Sequence, residues 1–286
     1  MARPSTVRKA QNDAQEMAGF AAEHPWVKTL ARIGLAAIGA VYILVGVLAV
    51  QLAMGTGGGG EGAPDQQSAL QQINEAPMGR FILGLIALGL LGYLVWRLTE
   101  AFADLEGKGN EPKGLASRAG HAINGIVYGG IGLQAGMLAI GRGSSGSGQE
   151  EWTARFMALP LGRWLVGLAG LFVIGYGLYQ LYEAWTRKYR DRLAYEQMSA
   201  EERRWLDPLS VAGLIAHGIV LGFTGFFLIL AAYRFNAEEA QGLGGALDEI
   251  ARQPFGPWLL GAVAIGLIGY GAYKLAQARY HHLLAR

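Results

Sequence analysis

A twelve-residue pattern occurs three times in this chain, and it decides how many structural units the chain must contain. The copies are LLGYLVWRLTEA at 90–101, VIGYGLYQLYEA at 173–184 and LIGYGAYKLAQA at 267–278. In each copy a Gly-Tyr pair is followed by an aromatic residue and then by two polar residues three positions apart. Self-similarity of this kind is the sequence signature of a repeat architecture. The chain is therefore predicted to consist of three related modules.

Each module contains two apolar stretches that are long enough to cross a bilayer, for which about 20 residues suffice. The chain is 52% hydrophobic and 16% charged, whereas soluble domains carry about 25% charged residues. The six stretches lie near residues 30–53, 79–103, 119–141, 161–185, 209–233 and 256–278. Backbone polar groups in lipid must be satisfied within a helix. We therefore predict an all-α integral membrane fold, with six transmembrane helices as three tandem hairpins in a pseudo-threefold arrangement.

The connections suggest domain boundaries and three further helices. We predict a cytoplasmic tail at 1–26, repeats at 27–105, 115–190 and 208–286, and a basic cytoplasmic linker at 191–207. Between the two spans of each hairpin, apolar residues recur at helical spacing, which predicts a short amphipathic helix on the membrane surface. A flexible loop is the alternative. The apolar residues are Ala69, Leu70 and Ile73, then Trp152, Phe156 and Met157, then Leu247, Ile250 and Ala251.

The distribution of charge predicts the orientation and limits the partners. Lys and Arg are concentrated in the connections on the side of the N-terminus, so both termini are expected in the cytoplasm. The first twenty residues contain no apolar segment typical of a signal peptide. A net charge of +2 gives no general case for nucleic acid. The expected partners are the lipid bilayer and other membrane protein subunits.

Polar pairs at the ends of the second spans are the first candidates for a site, because ionisable groups near membrane depth are a functional hypothesis by default. The first two repeats carry an arginine at the start of the first span and a glutamate at the end of the second, and the third repeat carries neither. This comparison predicts structural ion pairs that clamp each hairpin, because a lone charge near hydrocarbon is costly; a proton or ion relay and solvation at the interface remain alternatives. The pairs are Arg32 with Glu100 and Arg118 with Glu183, and the third repeat has Lys274 and Gln277 as its own polar site.

Histidine and glycine give two further hypotheses. His121, Asn124 and His217 lie at related positions of the third and fifth spans, where we expect hydrogen bonds between helices; a haem held by His121 and His217 is the alternative. No metal site is predicted. The Gly-Tyr pairs are expected to let helices approach closely, and whether the centre is packed or holds a lipid or quinone stays open. These pairs are Gly92 with Tyr93, Gly175 with Tyr176, and Gly269 with Tyr270.

No enzyme motif is recognisable. The GTGGGGEG segment lacks the Lys and Ser or Thr of a P-loop, and the chain has no HExxH or GxSxG sequence. With no cysteine, the chain has no thiol nucleophile or disulfide. We therefore predict no catalytic residue and no cofactor.

The three hairpins, with the patterns ARxGxxxxGxVYxxxG, PxGRW and GYxxYxLxEA, resemble the bacterial DUF1206 family. The resemblance covers the chain from Trp26 to its end; Tyr42 and Tyr128 match the VY position, and Leu221 departs from it. It implies three copies of a two-span module and a location in the bacterial inner membrane. The family has no assigned activity, so no site residue follows from the resemblance.

The function expected from the sequence is that of a non-enzymatic binding, scaffold or accessory protein that associates with other membrane proteins or lipids. A small-solute transporter or channel is the second possibility. A haem- or quinone-binding membrane protein is the third.

Overall fold

The computed structural model describes residues 25–56, 62–103, 111–142, 148–159 and 161–280. The regular elements in these ranges are helices. Most of the tail expected at 1–26 lies outside the described residues. The α-helices are α1 (Pro25–Ala53), α2 (Gln66–Glu75), α3 (Gly79–Ala103), α4 (Pro112–Ala139), α5 (Gly148–Met157), α6 (Gly162–Thr186), α7 (Ala200–Arg234), α8 (Leu243–Arg252) and α9 (Gly256–Tyr280).

Six of these helices, α1, α3, α4, α6, α7 and α9, are long and apolar enough to cross a membrane. Their bounds agree with the predicted spans to within a few residues at most ends. The predicted membrane fold, with two spans in each of three repeats, is thereby confirmed. The three shorter helices α2, α5 and α8 occupy the positions predicted for amphipathic helices, so the loop alternative is wrong.

Helix α7 begins nine residues before the predicted span and takes up half of the expected linker at 191–207. Its start is fixed by a capping box, in which Ser199 Oγ accepts from Glu202 N and the Glu202 carboxylate accepts from Ser199 N. Such a box satisfies two backbone donors at a helix start. Pro208 lies inside the helix and removes one backbone bond, which the long helix tolerates. The 3-10 turn Lys188–Arg192 overlaps the start of the linker, and the 3-10 turn Tyr195–Gln197 lies within it.

A tight turn joins each short helix to the following span, with the same geometry in all three repeats. Met78, Leu161 and Phe255 have left-handed backbone angles, with φ of 60°, 64° and 63°. The next residue is glycine each time, because the chain passes close to the end of the short helix. A Cβ atom at Gly256, for example, would lie 1.8 Å from the carbonyl oxygen of Ala251.

Replacing Gly256 with alanine is expected to destabilise the protein, because backbone atoms must move to admit the methyl group. Overpacking of this kind typically costs about 1–3 kcal/mol. The matched control is Gly222→Ala on α7, where a Cβ would meet nothing within 4 Å. Thermal unfolding in detergent, followed by far-UV circular dichroism, should show a lower midpoint for the first variant alone. Equal midpoints for the two variants would contradict the proposed geometry of the turn.

The described residues form two compact units. Unit 1 contains the first part of α1, up to Ile38, together with α3 and α4. Helix α3 packs against α4 and also against α1. At the latter contact a Cβ on Gly34 would lie 2.4 Å from the carbonyl oxygen of Gly89, and one on Gly92 would lie 2.5 Å from Leu30 Cβ. Glycine thus permits the close approach of helices that the sequence predicted for Gly92.

Unit 2 contains Gly39–Gln72 and the helices α5 to α9. Helix α7 packs against both α6 and α9, and α8 packs against α7 and α9. The second part of α1 also packs against α9, where Gly39 and Gly271 face each other so closely that a Cβ on either would lie within 2.8 Å of the other's carbonyl oxygen. Unit 2 therefore places α6 and α9 beside α7, and α1 beside α9. The candidate site lies between these helices.

Candidate functional site

A hydrogen-bonded chain of polar side chains lies inside unit 2, centred on His217. This residue is the middle residue of α7 and is only 4% exposed. Its Nε2 atom is 2.9 Å from the hydroxyl of Tyr42 on α1, and its Nδ1 atom is 2.9 Å from Oε1 of Gln180 on α6. The Tyr42 hydroxyl also accepts a longer bond of 3.4 Å from Nε2 of Gln66, the first residue of α2. Four separate helices thus contribute to one chain, which is part-buried at Gln66 and buried from Tyr42 to Gln180.

Aromatic rings enclose the histidine. Tyr270 on α9 is stacked on the imidazole of His217, with ring centroids 4.0 Å apart and planes 5° from parallel. The Tyr42 ring meets the edges of both, with centroids 5.1 Å from His217 and 4.9 Å from Tyr270. The close approach of α7 to α9 is possible because a Cβ at Gly213 would lie only 2.3 Å from the Tyr270 backbone nitrogen. Packing therefore fixes the orientation of the imidazole.

A second group of buried polar side chains follows on α9, toward the end of unit 2 where α6 and α9 finish and α7 begins. We call this the basic end; the other end, which carries α2 and α8, is the loop end. Lys274 is 5% exposed. Its Nζ donates to Gln277 Oε1 at 3.1 Å, and Gln277 Nε2 donates to the Tyr273 hydroxyl at 2.9 Å. The ammonium also lies 5.1 Å from the ring centroid of Tyr270, the ring that is stacked on His217. Tyr270 therefore touches both basic groups.

At the basic end, Glu183 is 2% exposed and forms an ion pair with Arg192, at 2.7 Å between Oε1 and Nη2. The sequence comparison paired Glu183 with Arg118 instead, and that assignment needs correction. The guanidinium of Arg118 donates to the carbonyl oxygens of Ala101 and Phe102. These carbonyls belong to the last turn of α3, where helix geometry leaves them without internal partners. Arg118 therefore caps a helix end in unit 1.

The turn that carries Arg192 is held in place by Asp207 of α7. The Asp207 carboxylate accepts from the Tyr189 hydroxyl at 3.0 Å, and also from Arg190 and Tyr195. Burial of Tyr195 and its hydrogen bond to Asp207 raise the pKa of the phenol to about 12. The start of the basic linker is thus held against α7 within unit 2.

This raised pKa predicts how stability depends on pH. A phenol whose pKa is higher in the folded state stabilises that state fully below its unfolded value near 10 and loses this effect as the pH rises toward 12. The wild-type protein should therefore lose more stability between pH 10 and 12 than the variant Tyr195→Phe, which has no proton to lose. Unfolding midpoints measured over this range in both proteins test the expectation. Parallel curves of unfolding midpoint against pH for the two proteins would show that ionisation of Tyr195 does not lower the stability of the fold.

Unit 1 contains a related but different cluster. Glu100 is buried, and its carboxylate lies 2.6 Å from Arg97 Nη1 and 3.6 Å from His121 Nδ1. Arg97 and His121 are thus partners of Glu100 that the sequence comparison did not assign, and the predicted pair of Arg32 with Glu100 stays a prediction. Arg97 lies about one turn before Glu100 on the same face of α3. His121 of α4 lies near the same carboxylate. Asn124 accepts from the Tyr93 hydroxyl at 2.9 Å, so the predicted hydrogen bond between helices exists at this position.

The repeat alignment explains how the two clusters are related. Gln180 occupies the position of Arg97, and His217 occupies that of Asn124. Unit 1 therefore has a cation where unit 2 has an amide, and an amide where unit 2 has an imidazole. Of the predicted Gly-Tyr contacts, Gly269 lies against α7, since a Cβ there would be 2.6 Å from the Leu209 carbonyl oxygen. Gly175 differs, because a Cβ there would meet nothing within 4 Å among the described atoms. Its packing role was predicted wrongly.

Sequence reasoning selected His217, Lys274 and Gln277 but missed Tyr42, Gln66 and Arg192 as their neighbours. A signal for Tyr42 was present, since it shares the VY position of the repeat with Tyr128; in the structure Tyr128 also packs on an aromatic side chain, that of Tyr93. No pattern marked Gln66 or Arg192, which lie on a short helix and in a turn.

A metal site and a haem site would each make different demands on these side chains. Among the described residues, no group of three or more His, Asp or Glu side chains is placed to hold a metal ion. For haem, His217 would have to exchange a bond to Tyr42 or Gln180 for one to iron and give up its stacking on Tyr270. The arrangement is instead chemically suited to proton exchange, because the phenol of Tyr42, the imidazole of His217 and the amine of Lys274 lie one after another in space.

Fold and site together define a helical membrane protein with six candidate spans, three repeats of a two-span module and buried polar clusters between helices. Three segments, 33–104, 119–187 and 212–281, match the model of the family described as Domain of Unknown Function (DUF1206). The chain is also 35% identical over 259 residues to the uncharacterised protein YxxB of Bacillus subtilis (strain 168), which covers 91% of this chain and 93% of that protein. The chain therefore belongs to the DUF1206 family. No solved structure matches it.

Proposed function

We propose that this protein carries protons across the membrane, without enzymatic activity, along the buried polar side chains of unit 2. The observation that supports the proposal is the chain from Gln66 through Tyr42 to His217, which links the loop end to the middle of α7. Polar and ionisable residues inside membrane spans are expensive and commonly mark ion pathways or proton relays. The role rests on this chain together with Lys274.

Each side chain would have a simple task. The Tyr42 hydroxyl passes a proton to or from Nε2 of His217, because one group can donate and the other accept. His217 and Lys274 both become cationic when protonated and lie close enough to interact electrostatically. Like charges in a medium of low dielectric constant repel, so the two groups favour single occupancy. A proton arriving at one therefore favours release from the other.

Lys274 would serve as the mobile carrier, because a lysine side chain is a flexible stem of four carbons with a compact charge at its end. Its ammonium lies beside Tyr270, within reach of the histidine side, and bonds to Gln277. From there the next titratable groups toward the basic end are Tyr273 and Glu183, which interact electrostatically. The fully buried hydroxyl of Ser210, which has no hydrogen-bond partner among the described residues, lies two helical turns from His217 in the same direction.

Purified protein in liposomes loaded with a pH-sensitive dye tests the proposal. A potassium gradient with valinomycin supplies the driving voltage, and acidification or alkalinisation of the lumen reports proton flow. The informative variant is His217→Asn, because Asn124 occupies the equivalent position in the second repeat and shows that the fold accepts an amide there. We expect flux in the wild type and at least about a tenfold loss in this variant, corresponding to roughly 1.4 kcal/mol in the barrier.

The matched control is His121→Asn in unit 1, which should conduct like the wild type. Proton flux in the wild type that does not exceed protein-free liposomes would contradict the proposal. Equal flux in wild type and His217→Asn would also contradict it, because the proposed route passes through the imidazole. We expect the basic end to face the cytoplasm, in keeping with the distribution of Lys and Arg.

A binding or accessory role is the second candidate, and one feature of α6 favours it. Trp164, Leu168 and Leu171 form one face of this helix and are 65%, 64% and 60% exposed. Another apolar helix could cover this face, as lipid chains could. A photo-crosslinking group placed at Leu171 in native membranes separates the two. A discrete protein adduct supports the accessory role, and adducts with lipid alone contradict it.

A further inference from the structure

We infer that Gln66 controls proton entry to His217 from the loop end, because its side-chain amide can reverse its hydrogen-bond role toward Tyr42 when the imidazole is protonated. The inference rests on the proposed proton path and assigns a positioning residue within it. Gln66 lies on the short helix α2, which the sequence analysis treated only as a surface element.

The start of α2 is held firmly in place, so Gln66 has a defined position. Asp65 caps the helix, with its Oδ1 accepting from the backbone nitrogen of Ser68 at 2.8 Å. Two residues earlier, the backbone nitrogen of Ala63 donates to Asp248 Oδ1 of α8, also at 2.8 Å. One turn further along α2, Ala69 and Leu70 are fully buried. Helix α2 is therefore fixed at its start, while the Gln66 side chain reaches inward to Tyr42.

The donors and acceptors around His217 determine what protonation requires. With Nδ1 donating to Gln180 Oε1, the neutral imidazole has its lone pair at Nε2 and accepts from the Tyr42 hydroxyl. Tyr42 oxygen in turn accepts from Gln66 Nε2. In this arrangement the single hydroxyl proton of Tyr42 is donated to Nε2, which requires that Nε2 of His217 carries no proton.

When Nε2 binds a proton it becomes a donor, and the Tyr42 oxygen must accept from it. The hydroxyl proton of Tyr42 then turns away from Nε2 and is free to be donated to an acceptor such as an amide oxygen. Rotation of the Gln66 amide by half a turn presents Oε1 in place of Nε2 and supplies that acceptor. Without this reversal a buried group would lose a hydrogen bond, which costs about 1–3 kcal/mol. Glutamine suits the role because its amide offers both a donor and an acceptor.

The other groups that face His217 do not replace this function. They are Gln180 of α6, whose oxygen already accepts from Nδ1, and Tyr270 and Lys274 of α9. Tyr270 presents its ring face, and Lys274 carries a charge that opposes a second cation nearby. The Tyr42 and Gln66 pair can exchange donor and acceptor roles without the movement of a charge. Its contact of 3.4 Å is also longer than the two 2.9 Å bonds of the imidazole, so the amide can turn more easily.

Three variants test the inference in the full-length protein. In Gln66→Leu the acceptor is lost, and we expect proton flux in liposomes to fall about tenfold, the effect of one unsatisfied hydrogen bond. In Gln66→Glu the carboxylate can only accept, which favours the protonated imidazole, so the pH profile of flux should move upward by roughly one unit. Gln71→Leu, at an exposed position of α2, is the matched control and should behave like the wild type.

A spectroscopic measurement separates failure of this inference from failure of the proton path. The ring nitrogen signals of His217, followed by NMR in protein labelled at histidine nitrogen, report its protonation as the pH is changed. We expect the titration to shift in opposite directions in Gln66→Leu and Gln66→Glu. If the wild type conducts and both variants retain its flux and titration, Gln66 is not the control point. If the wild type does not conduct, the proposed function fails, and unchanged titrations would contradict the inference on Gln66 independently.

Discussion

Replacing Arg192 with methionine is expected to lower the free energy of unfolding by about 3 kcal/mol. The change leaves the Glu183 carboxylate, which is 2% exposed, without the guanidinium that lies 2.7 Å from it. Removal of one partner of a buried ion pair typically costs about 3–5 kcal/mol. The lower end applies here, because the Arg192 side chain is 35% exposed and part of its interaction is screened by solvent. Denaturant titration in micelles gives the difference.

The third repeat supplies the matched control for this prediction. Gln277 occupies the position of Glu183 there and is equally buried, so the fold accepts an amide at this point. The double variant Arg192→Met with Glu183→Gln should therefore recover most of the lost stability. If the double variant is as unstable as the single one, the loss comes from the turn 188–192 itself and not from an unpaired carboxylate.

Replacing Lys274 with methionine should reduce proton flux by about tenfold or more while leaving the fold intact. Methionine has a similar length and no charge, and exchange of a buried charged group for an apolar one of similar volume is often neutral or stabilising. The carrier between His217 and the basic end is nevertheless lost. We expect flux in liposomes to fall by about tenfold or more, equivalent to at least roughly 1.4 kcal/mol in the barrier, with an unchanged or higher unfolding midpoint.

Lys188→Met provides the control, because it removes the same charge from an exposed position at the basic end. This variant should conduct like the wild type. A Lys274→Met protein that is folded and conducts normally would remove Lys274 from the path. Unfolding of Lys274→Met would instead assign the residue a structural role and count against the proposed carrier.

Much of the fold follows from local patterns in the sequence. Six long apolar stretches predict six spans, and the triplicated Gly-Tyr pattern predicts three modules, because these features depend on helix length and periodicity within one segment. The apolar spacing of Leu247 and Ile250 likewise predicted α8, whose side chains at these positions are buried. The start of α7 was predicted too late, since the capping box at Ser199 lies outside the apolar run.

The partners in the polar clusters were harder to predict. Alignment of the repeats compares equivalent positions, but it does not say which helices are neighbours. Glu183 was therefore paired with an arginine of its own hairpin, whereas the structure brings Arg192 from the following turn. His217 was correctly selected as a hydrogen-bonding residue, yet its partners come from α1 and α6. Contacts between segments so distant in sequence depend on tertiary packing, which single-sequence patterns do not contain.

The proton path through unit 2 is tested most directly by the reversal potential of the protein's current in a planar bilayer. With a pH difference as the only proton gradient and equal concentrations of other ions on both sides, a proton-selective path predicts a reversal potential that shifts by about 59 mV per pH unit. The current should also be absent in His217→Asn. A reversal potential that follows potassium, sodium or chloride gradients, or the absence of any current from correctly folded protein, would contradict the account.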